Sequence, residues 1–144
     1  MIKVIMLDLD GTVYCGDELI DGADAAIRHM RDNGIKVFFC TNNSTKPPFE
    51  ISKKLNRLGI PCAESEIISS GGLAVQYAID NRLKNVYFSG AEDIKKLLID
   101  SGVGLVDECR CDNLIIAFDV DFTYSKLIKA VRAALNSQTI IVCN

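Results

Sequence analysis

Short apolar runs alternate with amphipathic stretches along the whole chain, and this alternation sets the fold class before any single residue is weighed. Residues 2–9 form an apolar run, residues 23–32 carry helical periodicity closed by Asn33-Gly34, and residues 35–40 form a second strand-like run. Together they make one β-α-β unit. Pro47-Pro48 opens a helix that runs to Leu58, since proline is tolerated in a first turn, and Gly59-Ile60-Pro61 ends it. Ile67-Ile68 predicts a short third strand, and a helix follows Ser69-Ser70-Gly71-Gly72 through Ala78. Beyond it the pattern predicts a strand at 86–88, a helix at 91–100, a strand at 114–118, a helix at 124–136 and a strand at 139–142. The expected fold is α/β, a mostly parallel Rossmann-like sheet with covering helices. No repeat or low-complexity linker interrupts the pattern, and a second module can begin near residue 79.

Composition narrows the function classes. The 144 residues are 49% hydrophobic, with 16 Lys+Arg against 19 Asp+Glu and a formal charge of -3. That balance fits a globular protein and argues against nucleic acid or an anionic membrane as partner, both of which favour clustered cations. The N-terminal apolar run is broken by Asp8, too early for the hydrophobic segment of a signal peptide, and no stretch is long enough to span a bilayer. The expected compartment is the cytoplasm, where Cys15, Cys40, Cys62, Cys109, Cys111 and Cys143 stay reduced. Cys109 and Cys111 are the only close pair and His29 the only histidine, so a zinc site of about four ligands is disfavoured. Cys40, Cys62 and Cys143 are expected to fill apolar positions, and Cys109 and Cys111 to lead into a strand.

The strongest chemical signal is Asp8-Leu9-Asp10-Gly11-Thr12 at the carboxyl end of the first strand, where open α/β sheets place ligands. Alternate strand residues project to one side, so two carboxylates are delivered together, and Gly11 lets the chain turn away above them. Two carboxylates held close cannot both ionise cheaply unless a cation intervenes or one keeps its proton. Either state suits phosphoryl transfer, with one carboxylate attacking phosphorus and the other handling the proton of the leaving oxygen. The plain alternative is a strand-end turn whose aspartates bond local amides. A second signal weighs against it. The next strand ends in Thr41-Asn42-Asn43-Ser44, so hydroxyls, amides and backbone N–H groups gather at the same sheet edge, as the oxygens of a phosphoryl group require.

These two motifs together resemble the first two motifs of the haloacid-dehalogenase superfamily of phosphatases, and more narrowly its NagD-type branch, which includes 4-nitrophenylphosphatases, phosphoglycolate phosphatases and nucleotide phosphatases. The similarity runs on through Tyr14, Asp21-Gly22-Ala23, Ile68-Ser69-Ser70, residues 86–90, Gly104-Leu105-Val106, residues 119–124 and residues 140–144. It implies part of the superfamily's Rossmann-like catalytic core over residues 1–78 and part of an inserted α/β cap over residues 79–144, the cap selecting substrate. Carried over by position, it implies that Asp8 is the nucleophile and a Mg²⁺ ligand. Asp10 becomes the general acid/base and a metal ligand through its carbonyl. Thr41 and Asn42 would hold the transferring phosphoryl group, with Asn43 assigned to the same phosphate site and supporting its loop. The implied substrate is a small phosphorylated metabolite of the sugar phosphate, nucleotide or phosphoglycolate class. Homo-oligomerisation stays open.

Asp119-Val120-Asp121 repeats the carboxylate spacing without a following glycine, and reads as structural, with Thr123 as the N-cap of the helix carrying Lys126. Ser70-Gly71-Gly72 reads as a helix start rather than a phosphate cradle. The resemblance also implies a lysine beside the nucleophile and an acidic cluster completing the Mg²⁺ site, both later in sequence than the cap. Lys46, Lys126 and Lys129 are not substitutes, and the chain stops at 140–144 in or just after an apolar strand. The expectation is therefore the N-terminal part of a longer phosphatase, with the strand bearing Asp8 at an exposed edge. Two other classes stay open at this stage. One is a phosphate- and Mg²⁺-binding or interaction module without turnover. The other is a receiver-type phospho-acceptor, although that would place its acceptor on a later strand and a lysine near its end.

Overall fold

The computed structural model describes residues 2–143, so Met1, and Asn144 at the end of the last quoted motif, lie outside the described residues. The chain divides into two compact units. One runs to Thr41 and resumes over Pro48–Ser69, and the other takes Asn42–Pro47 and the chain from Ser70 onward.

In the first unit, β1 (Val4–Asp8) leads to a hairpin of β2 (Tyr14–Cys15) and β3 (Glu18–Leu19), then α1 (Ala23–Asp32), β4 (Lys36–Thr41), α2 (Pro48–Arg57), a 3-10 turn at Glu64–Glu66 and β5 (Ile67–Ser69). The parallel sheet has the order β1-β4-β5. Alternate residues of β4, Val37 and Phe39, pack with Leu9, with Ile27 of α1 and with Ile51 and Leu55 of α2 in one core. Leu9, Phe39 and Leu55 are fully buried, and truncating such a side chain to alanine costs about 2–5 kcal/mol. Among the described strands β1 pairs with β4 alone, and its alternating pattern leaves Val4, Met6 and Asp8 exposed. The expected exposed edge is therefore present.

The second unit continues with α3 (Ser70–Asp80), β6 (Val86–Ser89), α4 (Glu92–Asp100), β7 (Asn113–Ile116), α5 (Tyr124–Asn136) and β8 (Thr139–Val142), its parallel sheet ordered β6-β7-β8. Phe88 and Ile115 pack with Ala74, Val75 and Ala78 of α3 and with Ile94 and Leu98 of α4. Leu114, with Tyr87 and Ile116 beside it, packs with Ala133 of α5, so the helices cover both faces of the sheet. Thr123 caps α5 as expected, its hydroxyl accepting from the Lys126 amide at 3.2 Å.

Three local expectations are corrected. The β2–β3 hairpin was not anticipated. The third helix begins at Ser70, not after Gly72, because Gly71 is needed inside it: a Cβ there would stand 2.9 Å from Ile94 Cδ1 and 3.2 Å from Ser44 Cα. The strand expected to reach Phe118 ends at Ile116, and the Phe118 amide leaves the ladder to donate to Ser44 Oγ at 2.9 Å. All six cysteines are free, with Cys111 and Cys143 buried, Cys40 and Cys62 half-buried, and Cys15 and Cys109 exposed. Among the described residues no helix is long and apolar enough to cross a membrane.

Candidate active site

The site begins where β1 ends. Asp8 is its last residue and is exposed, Leu9 drives into the core, and Asp10 is exposed again, so one buried leucine holds a carboxylate on each side of it. The turn that follows is closed by backbone bonds. The Leu9 carbonyl accepts from the amides of Thr12 at 3.2 Å, Val13 at 2.9 Å and Tyr14 at 3.2 Å, while the Gly11 amide donates to the Tyr14 carbonyl at 2.8 Å. Gly11 has φ +80°, in the left-handed region that a glycine enters without steric cost. Asp10 thereby comes to bridge Tyr14.

Register brings the second motif to the same edge. Asp8 stands opposite Cys40, and Thr41, the next residue, stands opposite Ser69 at the end of β5. Thr41 and Ser69 are buried polar residues at the carboxyl ends of their strands. Asp8, Asp10 and Thr41 thus gather at one sheet edge of the first unit. Asn42 follows directly in the chain and is exposed, but Asn42 and Asn43 already group with the second unit. Asn43 is committed to its own loop, its Oδ1 accepting from the Thr45 amide at 2.9 Å, the Thr45 hydroxyl at 3.1 Å and the Lys46 amide at 3.0 Å. In the same unit the Gly71 amide donates to the Asn43 carbonyl at 3.3 Å, and Lys46 pairs with Asp93 at 2.7 Å.

Sequence reasoning gave Tyr14 no part of its own in this corner. Burial, followed by the negative charges of Asp10 and Asp8, pushes its phenol up to about 12, so it stays a neutral hydroxyl at physiological pH. Lys54 lies 3.9 Å from the centre of the Tyr14 ring and donates to the Gly16 carbonyl at 2.7 Å. The signal that could have found this corner is Gly16-Asp17, a two-residue hairpin turn between Tyr14-Cys15 and Glu18-Leu19. Asp119, by contrast, is structural as expected: its carboxylate accepts from the Asp121 amide at 2.9 Å and pairs with Lys126 at 2.6 Å.

The donor set at the edge is oxygen only, which suits a hard cation such as Mg²⁺ and not zinc. Among the described residues no group of three or more His, Cys, Asp or Glu converges, so Asp8 and Asp10 stand as a pair. A pair is compatible with Mg²⁺, which keeps several waters and is commonly held by one or two carboxylates together with substrate phosphate.

Residues 5–104 match the haloacid dehalogenase-like hydrolase family. An acid sugar phosphatase of Staphylococcus saprophyticus is 34% identical over 143 residues, covering 99% of this chain and 55% of the relative. A thermostable NPPase double mutant from Geobacillus stearothermophilus superposes with TM-score 0.87 at 33% identity, over 99% of this chain and 56% of that one. For the 4-nitrophenylphosphatase of Thermotoga maritima the TM-score is 0.88 at 25% identity, over 98% and 54%. The chain spans about half the length of the curated relatives it matches. Two aspartates around a buried leucine, a threonine in register beside them, and this likeness along almost the whole chain agree: the chain belongs to the haloacid dehalogenase-like hydrolases.

Proposed function

We propose that this chain carries the nucleophile half of a phosphate-monoester hydrolase. The observation that supports this most is the edge itself, where Asp8 and Asp10 are both exposed and Thr41 sits one register position beyond Asp8. Asp8 attacks phosphorus and becomes an aspartyl-phosphate. Asp10 gives a proton to the departing oxygen, then takes one from the water that hydrolyses the acyl phosphate. The Thr41 hydroxyl and Asn42, one peptide bond further on, hold phosphoryl oxygens, and Asn43 keeps that segment in shape through its three bonds to Thr45 and Lys46. Asp8 and Asp10 would hold Mg²⁺, which when bound supplies positive charge against the phosphoryl oxygens.

The name of the staphylococcal relative supports a sugar phosphate among small phosphorylated metabolites as substrate, and residues 79–144, which lie in the second unit, are assigned the role of a substrate-selecting cap. Six free thiols support a reducing compartment, the cytoplasm. The test is turnover of 4-nitrophenyl phosphate by a protein carrying this chain at the full length of its relatives. Activity should need Mg²⁺ and vanish in Asp8→Asn. Asp10→Asn should lose about 10²–10⁴-fold, most with poor leaving groups. Turnover that survives Asp8→Asn or excess EDTA overturns the reading.

A further inference from the structure

Within the second unit a cavity of about 280 Å³ runs along β6 to its carboxyl end at Ser89-Gly90, and ligands collect at such strand ends in open parallel sheets. Tyr87, Ser89 and Gly90 line it from the sheet, Lys95 from α4, and Lys126 and Lys129 from α5. Core packing fixes Gly90 as glycine, since a Cβ there would stand 2.7 Å from Ala117 Cβ and 2.7 Å from the Phe88 ring.

One of the charges around this cavity, Lys126, works against helix stability. α4 starts with Glu92 and Asp93, the arrangement the helix dipole favours. α5 has no acidic residue in its first turn and no basic residue in its last. Instead Lys126 stands in the first turn, at the positive end of the dipole, where a cation is unfavourable, and Lys129 lies one turn further on. Asp119 offsets part of that cost. Its side chain is 6% exposed and pairs with Lys126 Nζ at 2.6 Å, so a buried carboxylate fixes the ammonium beside the cavity. Among the described residues no carboxylate pairs with Lys129, and Lys95 has only a partly exposed pair with Glu92 at 3.3 Å. Three lysines thus line one polar cavity together with Glu92 and Asp119, and among the described residues Lys129 is the one that no carboxylate offsets.

We propose that this cavity binds the phosphate group of a small anion, at a site separate from the Asp8 edge. Its volume falls just below the ~300–1,000 Å³ of ordinary small-molecule pockets, so it accommodates inorganic phosphate or the phosphate group of a compact ester. Lys129 and Lys95 would supply charge-assisted hydrogen bonds to the phosphate oxygens, while Asp119 offsets the charge of Lys126.

The experiment is a titration of the full chain with inorganic phosphate, followed by amide NMR shifts, in the wild type and in Asp8→Asn. Saturable shifts at Ser89, Gly90 and Lys129 are expected in both. Lys129→Ala and Lys95→Ala should each weaken binding about ten-fold, as loss of a charged hydrogen bond does, while Lys129→Arg keeps most of the affinity. A parallel titration with methyl phosphate separates the sources: equal affinity identifies a phosphate ester as ligand, and binding of inorganic phosphate alone identifies the free ion. No saturable shift at these three amides overturns the proposal. So does binding that is unchanged in the Lys95→Ala, Lys129→Ala double variant, or that is lost in Asp8→Asn. Because the readout is binding in the second unit, it is independent of whether Asp8 supports turnover.

Discussion

Asp8 and Cys40 stand opposite each other in the parallel register of β1 and β4, which places Thr41 one step beyond the carboxylate along the same edge. The pairing leaves a chemical trace: burial and the Asp8 charge together raise the Cys40 thiol above its ordinary value. It also means that the candidate nucleophile and the candidate phosphate ligand are set by a continuous ladder from Val4 to Asp8, not by a loop, which is the more rigid way to hold reacting groups.

Gly11 is the test of the turn that carries Asp10. Nothing lies within 4 Å of a Cβ built there, so Gly11→Ala has room for its methyl and is strained only by φ +80°. The expected cost is about 1–2 kcal/mol, read as a lower urea midpoint with unchanged slope. Gly11→Asn should recover part of it, since asparagine tolerates the left-handed region. A fully stable Gly11→Ala protein would show that the turn relaxes.

Arg31 ties α1 to the segment before β5. Its guanidinium reaches both Glu66 oxygens, at 3.0 and 3.1 Å, donates to the Pro61 carbonyl, and lies 5.8 Å from the centre of the Phe39 ring. Glu66 also accepts from the Ala63 amide at 2.9 Å. Arg31→Ala should destabilise by about 1–3 kcal/mol, the range for a half-buried charged hydrogen-bond pair, and Arg31→Lys should rescue little because one ammonium cannot replace Nη2 on Glu66 and Nη1 on the Pro61 carbonyl together. Chemical denaturation of the two variants measures both.

Cys62 predicts a pH dependence. Burial first, then the Glu66 charge, push its thiol from an ordinary 9.0 up to about 12, with Arg31 pulling the other way. The folded state therefore holds a proton that the unfolded chain releases. The associated stability is complete below pH 9 and is lost as pH rises from about 9 towards 12. Cys62→Ser should flatten that part of the stability profile. At pH 9 the folded protein holds far less Cys62 thiolate than an ordinary thiol would form, so exposed Cys15 and Cys109 should alkylate well before it.

The helices and the site edge were the legible parts of the sequence. Residues 23–32 form a helix over the expected span because apolar periodicity and a closing Asn33-Gly34 agree, and Asp8-Leu9-Asp10-Gly11 advertises itself by alternation and a glycine. What escaped depended on distant packing. Ser70-Gly71-Gly72 starts a helix as its glycines suggested, but the crowding of a Cβ at Gly71 by Ile94 and Ser44 could not be seen in the sequence. The end of β7 was hidden because Ser44, 74 residues earlier, takes the Phe118 amide. Strands of two residues such as Tyr14–Cys15 are too short for any periodicity to register.

The central claim is that Asp8 carries the phosphoryl group. A protein bearing this chain at the full length of its relatives, quenched during turnover of 4-nitrophenyl phosphate with Mg²⁺ and treated with hydroxylamine, should yield a hydroxamate at Asp8 when its peptides are weighed. The mark should disappear without Mg²⁺ and in Asp8→Asn. Steady turnover with Asp8 unmarked, or a mark on any other carboxylate, would contradict the account.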